Sequence, residues 1–171
     1  MATIPLVDRF LKEISKLAKM YGMDVNVYSL NRGFGLDLDE KYEAVKLFEL
    51  LNILTIKDAS VKLTDVGEKL VVKCIRIANH VITNHLDFKD DRGRVLGKVL
   101  YICSRMMPSW RNIDDALNYL DTVLEKLEEL REKNYDKYLA ILGVIGYYNK
   151  YAHEDILTEI LKIEEIQAEI T

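Results

Sequence analysis

The chain has 171 residues, of which 49% are hydrophobic and 30% charged, with a net charge of −4. That is the composition of a soluble globular protein of one domain or two small ones, long enough to bury its own core. No apolar run approaches the roughly 20 residues of a membrane span, and two cysteines without close spacing (Cys74 and Cys103) exclude a disulfide framework.

Residues 4–21 predict a first helix, because Leu6, Phe10, Ile14, Leu17 and Met20 or Tyr21 recur every three or four positions; Gly22 ends it. With charges inside it, "MATIPLVDRFLKEISKL" reads as an amphipathic helix and not as a signal peptide. A cytoplasmic, reducing setting follows. A single glutamine, Gln167, among many Ile, Leu, Lys, Glu and Tyr leans towards a thermophilic, archaeal-type source. A short helix is expected around Val27–Arg32. Asp37 and Glu40 then have the spacing of a capping box before a third helix at about 39–53. Ala44, Leu47, Phe48 and Leu51 share one side of that helix; Tyr42, Lys46 and Glu49 share the other.

"ILTIK" and "VKL" read as two short strands around a turn at Asp58-Ala59-Ser60. Thr64 or Asp65 caps the following helix, Asp65–Glu68 can close a box, and Gly67 points to close packing of its first turn. That helix runs to about Leu86, and "DFKDDRG" separates residues 1–88 from 89–171. The second half predicts helices at about 92–107, 112–132, 134–148 and 155–169. Pro108 and Ser109 break the first from the second, which Asn112 or Asp114 caps. The fold class is therefore mainly α (α+β): a winged helix-turn-helix followed by a helical domain. A loose likeness between 42–65 and 135–159 offers a second, degenerate winged helix there. Leu117, Leu120, Leu124, Leu127 and Leu130 form a stripe that suits either a homodimer seam or packing within the chain.

Charge is unevenly spread. Residues 1–61 carry 8 Lys/Arg against 9 Asp/Glu, residues 62–111 carry 10 against 5, and residues 112–171 carry 6 against 14. An anionic partner should meet the middle third. In a winged helix the outward face of helix three enters the major groove and wing cations grip phosphate. Here Lys41, Lys46, Lys57 and Lys62 are the candidates for such contact. Lys69, Lys73, Arg76 and His80, spaced 4, 3 and 4, line one face of the next helix in support. Arg92, Arg94 and Lys98 can extend that positive surface; the bland alternative is a solvated helix face. Glu43 and Glu49 on helix three and Asp58 in the turn oppose DNA.

No catalytic, metal or cofactor motif emerges. His80 and His85 diverge by about 140° on a helix, and neither Cys-x-x-Cys nor His-Glu-x-x-His occurs. "GRVLGKV" has too few residues between its glycines for a phosphate loop, and Val99 stands where Ser or Thr should hold magnesium. Tyr147, Tyr148 and Tyr151 suit core-edge packing better than base stacking.

From Leu11 to Leu70 the chain resembles the AAA-associated C-terminal domain, which follows the ATPase of nitrate-, sulfonate- and taurine-type transporters. The likeness rests on "FGLDLDEKYEAVKLFELLNILTIKDASVKLTDVGEKL", with its Leu-Leu helix end, acidic wing turn and Leu-Thr-x-x-Gly exit, and more faintly on "IGYYNKYAHED". The chain departs from the family in having "YGMD" where paired glycines are usual, and in lacking the tryptophan before the Gly-x-Tyr step. The resemblance implies a noncatalytic regulatory domain and transfers no catalytic residue. The sequence thus leads to a non-enzymatic winged-helix regulator. Double-stranded DNA is the first partner expected on base rate; a protein such as a transport ATPase is the alternative.

Overall fold

The structure, a computed structural model, describes residues 3–148 apart from Leu36 and Ala59. Within them lie seven α-helices and one antiparallel hairpin. The helices are α1 (Thr3–Met20), α2 (Val27–Gly33), α3 (Leu38–Leu50), α4 (Asp65–Asn84), α5 (Arg92–Met106), α6 (Ile113–Lys133) and α7 (Tyr135–Gly146). The hairpin joins β1 (Leu54–Lys57) to β2 (Ser60–Leu63) between α3 and α4. The fold is mainly helical, as the sequence predicts. The helix expected at 155–169, the far half of the 135–159 repeat, and Tyr151 lie outside the described residues.

Helix ends follow from local chemistry. Gly22, at φ +81°, closes α1, with Met23 N–H donating to Ala18 O and Gly22 N–H to Lys19 O. Asn52, at φ +61°, does the same for α3: Ile53 N–H reaches Phe48 O and Asn52 N–H reaches Glu49 O. This paired 6→1 and 5→2 pattern is a Schellman cap. It stops α3 at Leu50, three residues before the end predicted from periodicity. Asp37 occupies the N-cap of α3, but its side chain makes no capping bond, so the Asp37–Glu40 box does not form. Thr64, not Asp65, caps α4, through Gly67 N–H at 2.9 Å.

The strand-to-helix step is held by the same residues. Thr64 Oγ1 donates to Asn52 O at 2.5 Å, and Thr64 N–H donates to Ile53 O. A Cβ on Gly67 would lie 1.7 Å from Ile53 O. Gly67 therefore lets α4 press its first turn against the end of α3, as the sequence suggests. In the hairpin, Leu54 pairs with Leu63 and Lys57 with Ser60. Ser60 thus belongs to the strand and not to the turn, and Asp58 sits at φ +52°.

One contiguous core runs through both halves of the chain. Phe10 of α1 stacks on Phe48 of α3 at 5.2 Å and meets Phe34 after α2 at 6.2 Å. Leu6, Ile14 and Leu17 are buried as expected, whereas Met20 (80% exposed) and Tyr21 lie beyond the core's edge. The glycines of "GRVLGKV" have a packing role: α2 crosses α5 there at backbone contact. A Cβ on Gly97 would lie 2.4 Å from Leu30 O, and one on Gly93 2.5 Å from Ser29 Cβ. The α6 leucines Leu120, Leu124, Leu127 and Leu130 are buried within the chain, so the packing alternative accounts for the stripe.

Candidate functional site

The eight cations singled out from sequence fall into three groups. On α3, Lys41 is half-buried and donates to Asn31 Oδ1 at 2.8 Å; burial pulls its ammonium below the usual lysine range, with Asp37 opposing. Lys46 is exposed but forms an ion pair with Glu49 at 3.1 Å, and that hydrogen bond raises its pKa. The outward stripe of the helix is Asp39, Glu43, Lys46 and Leu50, all exposed, at spacing 4, 3 and 4. Tyr42, expected to face outward, packs partly against the core, and Glu49 is half-buried.

On the hairpin, Lys57 and Lys62 are both exposed. The register pairs Thr55 with Lys62 and Lys57 with Ser60, so these four residues share one face. That face carries two positive charges and no carboxylate.

On α4, the stripe is divided. Lys73 forms an ion pair with Asp121 of α6. His80 Nε2 lies 3.3 Å from Glu128 Oε1, also of α6. Both ties step seven residues on each helix, so α4 and α6 run side by side in the same direction. His80 Nδ1 also meets the Tyr138 hydroxyl of α7 at 2.5 Å, and Asn84 Nδ2 donates to that hydroxyl at 3.1 Å. The donors form a directed chain when His80 is neutral with its proton on Nε2: Asn84 to Tyr138, Tyr138 to Nδ1, Nε2 to Glu128. Burial pushes the His80 imidazole below its ordinary range; Glu128 pulls it up, and Arg131 and Arg76 push it down. Burial likewise pushes the Tyr138 phenol up to about 12. Lys69 and Arg76 remain exposed.

The seam between α4 and α6 opens into two hollows. The larger, about 710 Å³, lies along the first half of α4. It faces Lys69, Lys73 and Arg76 with Asp65, Glu68, Asp114 and Asp121, which makes it slightly acidic. The smaller, about 260 Å³, lies between Arg76, Asn79, His80 and Thr83 on one side and Glu128 and Arg131 on the other. Sequence reasoning missed Asp121, Glu128, Arg131 and Tyr138, although the acids sit seven apart along the flank of the leucine stripe of α6.

The extension of the positive surface along α5 fails at one position. Arg92 and Arg94 are exposed, but Lys98 is buried and donates to Tyr148 O. Burial lowers its pKa, with Arg94 adding to the effect. Cys74 and Cys103, far apart in sequence, lie with their sulfurs 3.6 Å apart in the core between α4 and α5. The contact with Cys103, together with burial, pushes the Cys74 thiol well above its ordinary range, which favours the protonated form. Among the described residues, no group of three His, Cys, Asp or Glu is placed to hold a metal ion, and no helix is long and apolar enough to cross a membrane.

No protein-family model, no curated protein and no solved structure matches the chain.

Proposed function

We propose that the chain is a non-enzymatic cytoplasmic regulatory module of winged-helix type, acting by docking a protein partner through α3 and not by reading DNA. The order α3, hairpin, α4 and the Thr64–Gly67 step support the winged-helix reading. The observation that carries the choice of partner is the outward stripe of α3. Asp39 and Glu43 are exposed there, Lys46 is neutralised by Glu49, and the exposed Leu50 ends the row. In a winged helix this face would enter the major groove between two rows of phosphate. An acidic face loses affinity there, because binding energy comes from cations that release counterions. The same stripe suits a basic protein surface with an apolar spot. The resemblance to the AAA-associated C-terminal domain makes a transport ATPase a candidate partner.

Fluorescence anisotropy of a labelled mixed-sequence duplex, followed through a salt series from low ionic strength, tests this reading. We expect no binding that weakens as salt rises. Recovery of a basic partner from the native source, lost in Asp39→Lys/Glu43→Lys, is the positive counterpart.

One observation favours the second reading, DNA contact by the hairpin: Thr55, Lys57, Ser60 and Lys62 share an exposed face free of carboxylates. Two lysines on phosphate would give a log–log salt slope of about −2. Lys57→Glu/Lys62→Glu would abolish that binding.

A further inference from the structure

We propose that the smaller hollow between α4 and α6 is a binding site for a phosphate group, held by Arg76, Asn79 and Thr83 of α4 and Arg131 of α6. This goes beyond the docking role of α3 and stands independently of it. Arg76, Asn79 and Thr83 are spaced 3 and 4, so they form one row along α4, and all three are exposed. All three line the hollow. Among the described residues, none of the three has a hydrogen bond or ion pair within the chain. They offer a guanidinium, an amide and a hydroxyl that no described residue satisfies.

Arg131 faces them from the far wall. Its guanidinium is anchored by Glu128 and lies close to the Tyr138 hydroxyl, so it is oriented before any ligand arrives. Glu128 is the one carboxylate in the lining, and both its oxygens are occupied. Oε2 takes Arg131 Nη2, and Oε1 faces His80 Nε2. With Glu128 spent on these contacts, the lining of Arg76, Arg131 and Glu128 is left net positive by one, although Arg76 is shared with the larger hollow. The larger hollow beside it has four carboxylates against three cations. It repels an anion, and the field therefore favours the smaller one.

The donors outnumber what a carboxylate can accept. The Arg76 fork, the Arg131 N–H groups not taken by Glu128 and Tyr138, an amide and a hydroxyl on opposite walls call for three or more oxygens in a tetrahedral spread, which phosphate supplies. The volume, about 260 Å³, lies below the roughly 300–1,000 Å³ of sites for drug-sized ligands. It suits a phosphate with a few further atoms.

The floor of the site supplies a reporter. The groups facing the His80 ring are Arg76 and Asn84 on α4, Glu128 and Arg131 on α6, and Tyr138, backed by Tyr135, on α7. An anion bound beside the ring favours its protonated form. The test is an NMR titration with inorganic phosphate, with acetate and chloride at matched ionic strength as controls. It follows backbone amides and the imidazole resonances over pH. We expect saturable shifts centred on Arg76–Asn84 and Glu128–Arg131, an upward move of the His80 midpoint, and weaker effects from acetate. Arg76→Ala should fold normally, since its side chain is exposed and unpartnered, and should bind phosphate about tenfold or more weakly. Shifts that never saturate and spread over exposed lysines would overturn the proposal. So would an Arg76→Ala protein that binds as the parent does, or an acetate response equal to that of phosphate.

Discussion

The crossing of α2 over α5 and the seam of α4 with α6 and α7 join helices in opposite ways. At the crossing, glycines bring backbone against backbone: Gly33, Gly93 and Gly97 each sit where a Cβ would overlap the other helix. The step at Gly67 belongs to the same type. At the seam, polar side chains reach between helices, from Lys73 to Asp121, from His80 to Glu128 and Tyr138, and from Asn84 to Tyr138. The first kind of contact leaves no space to alter. The second is partly solvated and leaves hollows with unsatisfied donors. Architecture is carried by the glycines, and the capacity to respond to ligand or pH lies in the seam.

The largest effect should come from breaking the close-packed kind. Gly67→Ala forces a methyl into Ile53 O and should cost about 3 kcal/mol or more, as overpacking of a tight site does. Denaturant unfolding would measure it; a loss under about 1 kcal/mol would mean the step is looser than described. Tyr138→Phe comes next. It leaves half-buried His80 Nδ1 without its partner and takes one of two hydrogen bonds from Asn84 Nδ2, which keeps His80 O, at about 1–3 kcal/mol by the same measurement. Lys73→Ala should cost under about 1 kcal/mol, because Asp121 is half-exposed and water screens the pair.

The seam should also give stability a pH dependence that the crossing lacks. His80 has its folded pKa lowered, so the unfolded chain binds the proton first as pH falls below about 6.5. Stability contributed by neutral His80 is present above that value and is lost as pH falls towards the folded pKa. Tyr138 has its folded pKa raised from 10.0 to about 12. Its contribution is complete below 10 and is lost as pH rises from 10 towards 12. Thermal unfolding against pH should show both limbs. His80→Gln should flatten the acid one and Tyr138→Phe the alkaline one, while Gly67→Ala should lower the whole curve without changing its shape.

Legibility from sequence followed the range of the chemistry. The Thr64–Gly67 step was readable because cap and close approach lie within one turn. The stop at Asn52 was hidden, since an asparagine there supplies the left-handed residue that a reader looks for in glycine. Gly93 and Gly97 resembled a truncated phosphate loop, because a glycine spacing alone does not say whether a ligand or a helix approaches. Lys98 was grouped with Arg92 and Arg94 by composition, yet it sits among Val95, Val99 and Ile102, which turn towards the core. The cationic stripe on α4 was visible, but its pairing with Asp121 and Glu128 depends on a register set by the intervening α5. Periodicity in α4 and α6 taken separately does not fix that register.

On the proposed function, the acidic outward face of α3 does not meet DNA. Amide chemical shifts mapped during titration with a mixed-sequence duplex at low ionic strength test it most directly. We expect Asp39, Glu43, Lys46 and Leu50 not to shift; movement confined to Thr55–Lys62 would support hairpin contact alone. Saturable, salt-sensitive shifts along Asp39–Leu50 would contradict it.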